Sequence, residues 1–334
     1  MKNLSMEKNY KKIVTKLGLW ILGIGLVAVM VHLAGWSNIK RAAASVNPSF
    51  LLLLCIFQIF TLALSSYQLH YILRCSKIRL GFWKVFSIYM TGNLIENITP
   101  SIKFGGEAVK VYLLKKYSSS DYKKLAGVFI IYKLISILPF IAVLLISASL
   151  LYFRSGINIF IYVAAILSVS ALGLFLILYI KHYKKKLPVP LSKIRDFLSG
   201  AVYFSKKALD KRQFGWMMCV SCFIWLAYPF KLYLITRLLG IHVDFISLAP
   251  ILYASYMISM MPITPGGLGS FEASMVFMLG RIHVSAHYAL TTVLLSRFVT
   301  YWFPLFFSAV VAGVLLFESR NFYADSLKNT GHLE

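Results

Sequence analysis

Six apolar stretches, at 17–36, 48–73, 124–153, 157–180, 214–240 and 287–317, reach or pass the roughly 20 residues that a helix needs to cross a bilayer. In hydrocarbon every backbone N–H and C=O must find its partner within the protein, so runs of this length fold as helices. The expected fold class is an all-α integral membrane protein. Composition agrees: 59% of the 334 residues are hydrophobic and 14% charged, where soluble domains carry ~25% charged residues. The first stretch follows Lys8, Lys11, Lys12 and Lys16 in the manner of a signal peptide. Its apolar core is too long for one, and no small-residue cleavage site follows Trp36, so it reads as a retained helix.

Two further segments are apolar but broken, and they share a pattern. Ile98-Thr99-Pro100 is followed by Glu107-Ala108, and Ile263-Thr264-Pro265 by Glu272-Ala273; in both the glutamate trails the proline by seven positions. Glycines fill each interval: Gly105 and Gly106 in the first, Gly266, Gly267 and Gly269 in the second. One proline–glycine break has an ordinary reading as a packing kink. Two matched breaks with matched acids predict related halves that each bring a broken helix to one site.

The loops set the topology. Basic residues cluster at Arg74, Lys77, Arg79 and Lys84, at Lys115, Lys116, Lys123 and Lys124, and through 181–213. With the N-terminus in the cytoplasm, only Lys40, Arg41, Arg154, Arg237 and Arg281 fall outside, and the net charge of +24 reads as positive-inside bias plus attraction to anionic lipid, not as a nucleic-acid footprint. The first broken segment, about 82–116, is flanked by bases on both sides, so it is expected to enter and leave on the inner face. The second, about 245–280, is expected to enter from the outer face. Both termini are then cytoplasmic, and the chain has six full transmembrane helices plus two re-entrant helical hairpins in an inverted-topology repeat. Repeat one covers 48–153 and repeat two 214–317; helices 17–36 and 157–180 are peripheral, and 181–213 is a cytoplasmic basic segment, in part an amphipathic surface helix. All of 1–334 forms one membrane domain. As weaker echoes, Arg74 and Arg237 end the first helix of each unit, and Lys133 and Arg297 each precede a proline (Pro139, Pro304) in the last.

Chemistry is expected at the breaks. A half-helix starting near Gly269 or Ser270 aims unpaired N–H groups and the positive end of its dipole at the break, which suits phosphate or carboxylate. Glu107 and Glu272 belong to first turns, where capping is the plainer reading and pairing with a cation or proton the functional one. Lys133 and Arg297 would each cost ~2.5–3.5 kcal/mol at mid-membrane unless paired or hydrated, and Glu107 and Glu272 are the economical partners. Lys103 and Lys110 flank the first break and could hold a phosphate. The candidate substrate-binding set is thus Thr99, Pro100, Lys103, Gly105, Gly106, Glu107, Lys110, Lys133, Thr264, Pro265, Gly266, Gly267, Gly269, Glu272 and Arg297. Lys231 and Glu96 stay unassigned. Cys55, Cys75, Cys219 and Cys222 read as small apolar filler, the histidines lack ligand spacing, and no nucleotide loop or hydrolase triad is present. Neither metal nor cofactor is expected, and no enzymatic role.

At these residues the chain resembles the transmembrane, flippase-type region of lysylphosphatidylglycerol synthases and the stand-alone proteins that share it. The resembling strings are Met261-Pro262-Ile263-Thr264-Pro265-Gly266-Gly267-Leu268-Gly269-Ser270-Phe271-Glu272-Ala273 and, less specifically, Gly105-Gly106-Glu107-Ala108-Val109-Lys110 with the apolar residues after it. The resemblance implies a flippase or scramblase that moves a phospholipid or a polyprenyl-linked or glycolipid headgroup between leaflets of a bacterial-type cytoplasmic membrane. Its partners would be anionic or zwitterionic lipids, aminoacylated or polyprenyl-linked forms among them; a homo-oligomer and a separate lipid-modifying enzyme stay open as partners. With the chain ending at Glu334, no aminoacyl-transferase domain is expected. A secondary transporter of a small polar solute, and a membrane enzyme or accessory protein of polyprenyl-linked glycan synthesis, are the competing readings.

Overall fold

A computed structural model of the chain describes residues 36–99, 104–155, 208–259 and 264–330, apart from 45 and 119, with a few isolated positions elsewhere. The expected helix 157–180, and most of 17–36 and 181–213, lie outside the described residues. Within them, regular structure is helical throughout. The α-helices are α1 (Trp36–Ala44), α2 (Pro48–Cys75), α3 (Phe82–Ile98), α4 (Phe104–Tyr117), α5 (Tyr122–Ser155), α6 (Lys211–Leu238), α7 (Phe245–Ser259), α8 (Ser270–Arg281), α9 (Ala286–Arg297) and α10 (Phe303–Thr330). Among the described residues four segments are long and apolar enough to span a membrane: Pro48–Cys75, Tyr122–Leu150, Lys211–Leu238 and Ala286–Phe317.

Local chemistry sets where these helices start and stop. Pro48 opens α2, and the Asn47 side chain accepts the Ser49 N–H at 2.9 Å. Asp210 accepts the Gln213 N–H at 2.7 Å, while the Gln213 side chain accepts the Asp210 N–H at 3.1 Å, a reciprocal cap on α6. The far ends of α2 and α6 match bond for bond. Ser76, Lys77 and Ile78 donate to Ile72, Arg74 and Leu73; Leu239, Gly240 and Ile241 donate to Ile235, Arg237 and Thr236. Lys77 and Gly240 both take positive φ, 58° and 71°, as this cap requires. Arg74 and Arg237 sit in these last turns, where the helix dipole favours a cation.

The broken segments fold as two antiparallel helix pairs, α3–α4 and α7–α8. Three of their arms, α4, α7 and α8, have 14, 15 and 12 residues and are well short of the ~30 Å hydrocarbon thickness at 1.5 Å per residue; α3, with 17, is the longest. The final span is not one regular helix: a π turn, Phe298–Trp302, joins α9 to α10. Pro304 lies two residues beyond it. Proline has no N–H and crowds the carbonyl four residues back, and a wide turn ahead of it releases that conflict.

Packing between the hairpins and the long helices is reciprocal. α2 lies antiparallel against α6, with the Gln68 side chain donating to the Met217 carbonyl at 2.9 Å and Lys231 reaching Gln58 and Thr61 at the other end of the contact. α5 packs on α7, and α10 packs on α3, so a long helix that follows each hairpin covers the first arm of the other hairpin. One apolar core gathers Leu69, Ile72, Val85, Ile88, Leu125 and Ile135. A second gathers Leu248, Leu252, Phe271, Met275, Leu279 and Val293. Outward positions are apolar too: Phe306, Val310 and Phe317 are roughly two-thirds exposed, the surface a lipid-facing helix presents. Buried hydroxyls turn back onto their own helix, as Ser65 does to Thr61 at 3.0 Å and Ser66 to Leu62 at 2.9 Å.

Candidate functional site at the hairpin tips

The turn of the second hairpin is built from glycines because other residues do not fit. Gly266, Gly267 and Gly269 all have positive φ, 59°, 67° and 81°. A side chain on Gly266 would run into the Tyr301 ring, and one on Gly267 into Ser259 at the end of α7. The Gly267 N–H donates to the Thr264 carbonyl at 3.1 Å, and the Thr264 hydroxyl donates to the Leu268 carbonyl at 2.7 Å. The turn delivers the chain into α8 at Ser270 and places Glu272 in its first turn.

Glu272 and Arg297 form a buried ion pair. The Arg297 Nε donates to Glu272 Oε1 at 2.7 Å, and Glu272 is 2% exposed. The other carboxylate oxygen accepts the Gly269 N–H at 2.7 Å. Glu272 therefore caps its helix and neutralises a cation together, its carboxylate answering the Gly269 N–H at the start of α8. The Arg297 Nη2 donates to the Gly266 carbonyl at 2.9 Å. Both guanidinium faces are covered, by Phe271 at 4.4 Å and Tyr301 at 4.5 Å from the ring centroids.

The first hairpin carries a four-member counterpart. Glu107, in the first turn of α4, meets the Lys133 Nζ of α5 at 2.8 Å and the Lys110 Nζ of its own helix at 3.1 Å. Lys110 also lies 3.7 Å from Glu96 on α3 and 4.6 Å from the Tyr89 ring centroid. α3 and α4 approach closely enough for this because Gly92 and Gly106 face one another. A Cβ on Gly106 would come within 2.7 Å of the Glu96 Cβ, and one on Gly92 within 2.9 Å of the Gly106 carbonyl. One Glu107 oxygen is buried without a hydrogen-bond partner. Lys133 is the wettest member, its side chain 39% exposed.

Tyr301 joins the two tips. It belongs to the π turn, covers Arg297, abuts Gly266 and donates its hydroxyl to the Asn97 carbonyl at the end of α3, at 3.1 Å. The end of α3 also packs on the Pro265–Gly267 turn itself.

Of the residues singled out from sequence, Gly105, Gly106, Glu107, Lys110 and Lys133 gather at the first tip, and Thr264, Pro265, Gly266, Gly267, Gly269, Glu272 and Arg297 at the second. Thr99 ends α3, its hydroxyl donating to the Ile95 carbonyl at 2.7 Å. Pro100 and Lys103 lie outside the described residues. Both acids pair with the cations expected of them. Lys110, expected beside a phosphate, is here buried between two carboxylates, and Glu96, unassigned from sequence, is one of them. Asn97, Tyr89 and Tyr301 were not anticipated. An aromatic next to Arg297 was a readable signal for Tyr301, but in a stretch this rich in aromatics it looks like a lipid-facing residue.

Residues 20–308 match the family described as the lysylphosphatidylglycerol synthase TM region. The chain belongs to that family. Among relatives of this family member, a UPF0104 membrane protein of Pyrococcus horikoshii is 26% identical, covering 92% of this chain and 98% of its own. Another, from Methanothermobacter thermautotrophicus, is 24% identical over 84% of this chain and 90% of its own. A phosphatidylglycerol lysyltransferase of Staphylococcus haemolyticus is 26% identical over 92% of this chain but only 35% of its own length. This family member is thus a multi-pass helical membrane protein related to the membrane region of a lipid-modifying enzyme.

Proposed function

We propose that this chain moves a lipid headgroup between the leaflets of its membrane, as a flippase or scramblase, through the space where the two hairpins meet. The observation that carries the reading is the pair of glycine-built tips, each holding an acid–cation pair and tied together through Tyr301. Buried ion pairs are costly in hydrocarbon and earn little stability there, so a pair at each tip is better accounted for as a place where charged groups exchange partners. A zwitterionic headgroup entering at Glu272–Arg297 replaces one ion pair by two, phosphate on the guanidinium and amine on the carboxylate, with no change in net charge.

The inverted repeat of six spans and two re-entrant hairpins is the topology we propose for it. It is supported by three arms too short to cross, by the matched caps on α2 and α6, by their antiparallel packing and by the reciprocal covering of each hairpin. On this topology both termini face the cytoplasm. The Staphylococcus haemolyticus relative acts on phosphatidylglycerol by its name, which favours a phospholipid cargo over a soluble solute.

The test is leaflet exchange of fluorescent phospholipids in liposomes holding the purified protein, followed by dithionite quenching of the outer leaflet. Faster exchange with the protein, slowed by Glu272→Gln and Glu107→Gln, is expected. Rates equal to protein-free liposomes for phosphatidylglycerol, phosphatidylethanolamine and a polyprenyl phosphate would refute it.

A further inference from the structure

Lys231 takes no part in either ion pair. It lies about three-quarters of the way along α6, is 0% exposed, and its ammonium donates to the Gln58 side chain and, at 3.2 Å, to the Thr61 hydroxyl of α2. The remaining neighbours are aromatic faces, Tyr228 at 4.4 Å and Phe57 at 5.3 Å from the ring centroids. All four partners are neutral. Elsewhere in the interior the described charges balance: Glu96 and Glu107 with Lys110 and Lys133, and Glu272 with Arg297. Lys231 is the cation left over.

Its position leads to the second cluster. The Tyr228 ring stands 5.9 Å from that of Tyr256, which lies 5.1 Å from Phe271, the residue under Arg297. An ammonium held at such a place by neutral groups draws a compensating anion. The Gln58 amide oxygen and the Thr61 hydroxyl oxygen accept two of its N–H groups, which leaves the third and the positive charge for a phosphate oxygen.

We infer that Lys231 is an anion contact beside the second hairpin and takes the phosphate of a net-negative lipid headgroup. In this conformation Tyr228 and Phe57 cover it, and the ammonium rests on their faces. This rests on the headgroup-transfer reading for its purpose, but not for its binding test.

Full-length wild type, Lys231→Gln and Lys231→Arg, purified in neutral detergent, are melted with dihexanoyl-phosphatidylglycerol, dihexanoyl-phosphatidylcholine or inorganic phosphate. Wild type and Lys231→Arg are expected to be stabilised more by the phosphatidylglycerol than by the phosphatidylcholine. Lys231→Gln loses that preference, with binding weaker by about tenfold, the loss of one charged hydrogen bond. A shift with inorganic phosphate too assigns the site to the phosphate group alone; a shift with the lipid only assigns it to the headgroup with its chains. Equal response of wild type to both lipids overturns the inference, and this arm stands even where Lys231→Gln does not fold. An unchanged preference in Lys231→Gln also overturns it. Leaflet exchange measured in parallel separates the two ideas. Exchange that keeps its phosphatidylglycerol preference in Lys231→Gln removes the site and leaves translocation. Lysine-dependent binding without wild-type exchange removes translocation and leaves the site.

Discussion

Replacing Arg297 with methionine should strand a carboxylate in the protein interior. Glu272 is 2% exposed, and without the guanidinium it keeps only the Gly269 N–H. The Gly266 carbonyl loses its donor as well. Removing one partner of a buried pair costs roughly 3–5 kcal/mol, because the charge left behind is uncompensated. Glu272→Met should cost about the same by stranding the guanidinium. The double variant has no charge to strand; it leaves the Gly269 N–H and the Gly266 carbonyl unanswered, about 1–3 kcal/mol. The double-mutant cycle should therefore show a coupling of at least ~2 kcal/mol. Polar contacts between membrane helices average only ~0.6 kcal/mol by such cycles, so a value of this size marks the pair as a buried charge couple. The assay is reversible unfolding in mixed micelles by sodium dodecyl sulfate titration, followed by circular dichroism. Single losses that add to the double within ~0.5 kcal/mol would refute the reasoning, since independent sites behave that way.

Gly266→Ala should destabilise the fold by roughly 1–3 kcal/mol in the same titration, because a Cβ there meets the Tyr301 ring at a positive φ. Gly106→Leu should part α3 from α4 and cost at least ~2 kcal/mol in the same titration. Tyr301→Phe keeps the ring over Arg297 but removes the bond to Asn97, so stability should fall by only about 0.5–1.5 kcal/mol. If that bond holds the tips together, leaflet exchange should quicken in this variant; slower exchange counts against a latch.

Four of the six expected spans lie among the described residues, and they were legible because the signal is length: a 20-residue apolar run has few other uses. The hairpins were legible through Pro100, Pro265 and their glycines, and the pairing of Glu107 with Lys133 and Glu272 with Arg297 through the cost of leaving any of them alone. Other features depended on distant contacts that a single chain does not advertise. Glu96 and Lys110 meet only because Gly92 and Gly106 let two backbones come close. Gln58 and Lys231 are 173 positions apart and partner without opposite charge. The π turn replaces what reads as uninterrupted helix through 287–317, and the helix continues to Thr330. Pro304 hinted at a defect there, but a proline does not say whether a kink or a wide turn absorbs it.

The account stands on two hairpins that open toward opposite faces of the membrane. Single cysteines at exposed positions flanking them, Arg79→Cys and Lys123→Cys for the first, His242→Cys and Ser285→Cys for the second, in a chain with Cys55, Cys75, Cys219 and Cys222 replaced, can be labelled from one side with an impermeant maleimide. The first two are expected to react only from the cytoplasmic side and the other two only from outside. Opposite sidedness for the two ends of either hairpin would make that segment an ordinary crossing and contradict the proposed route.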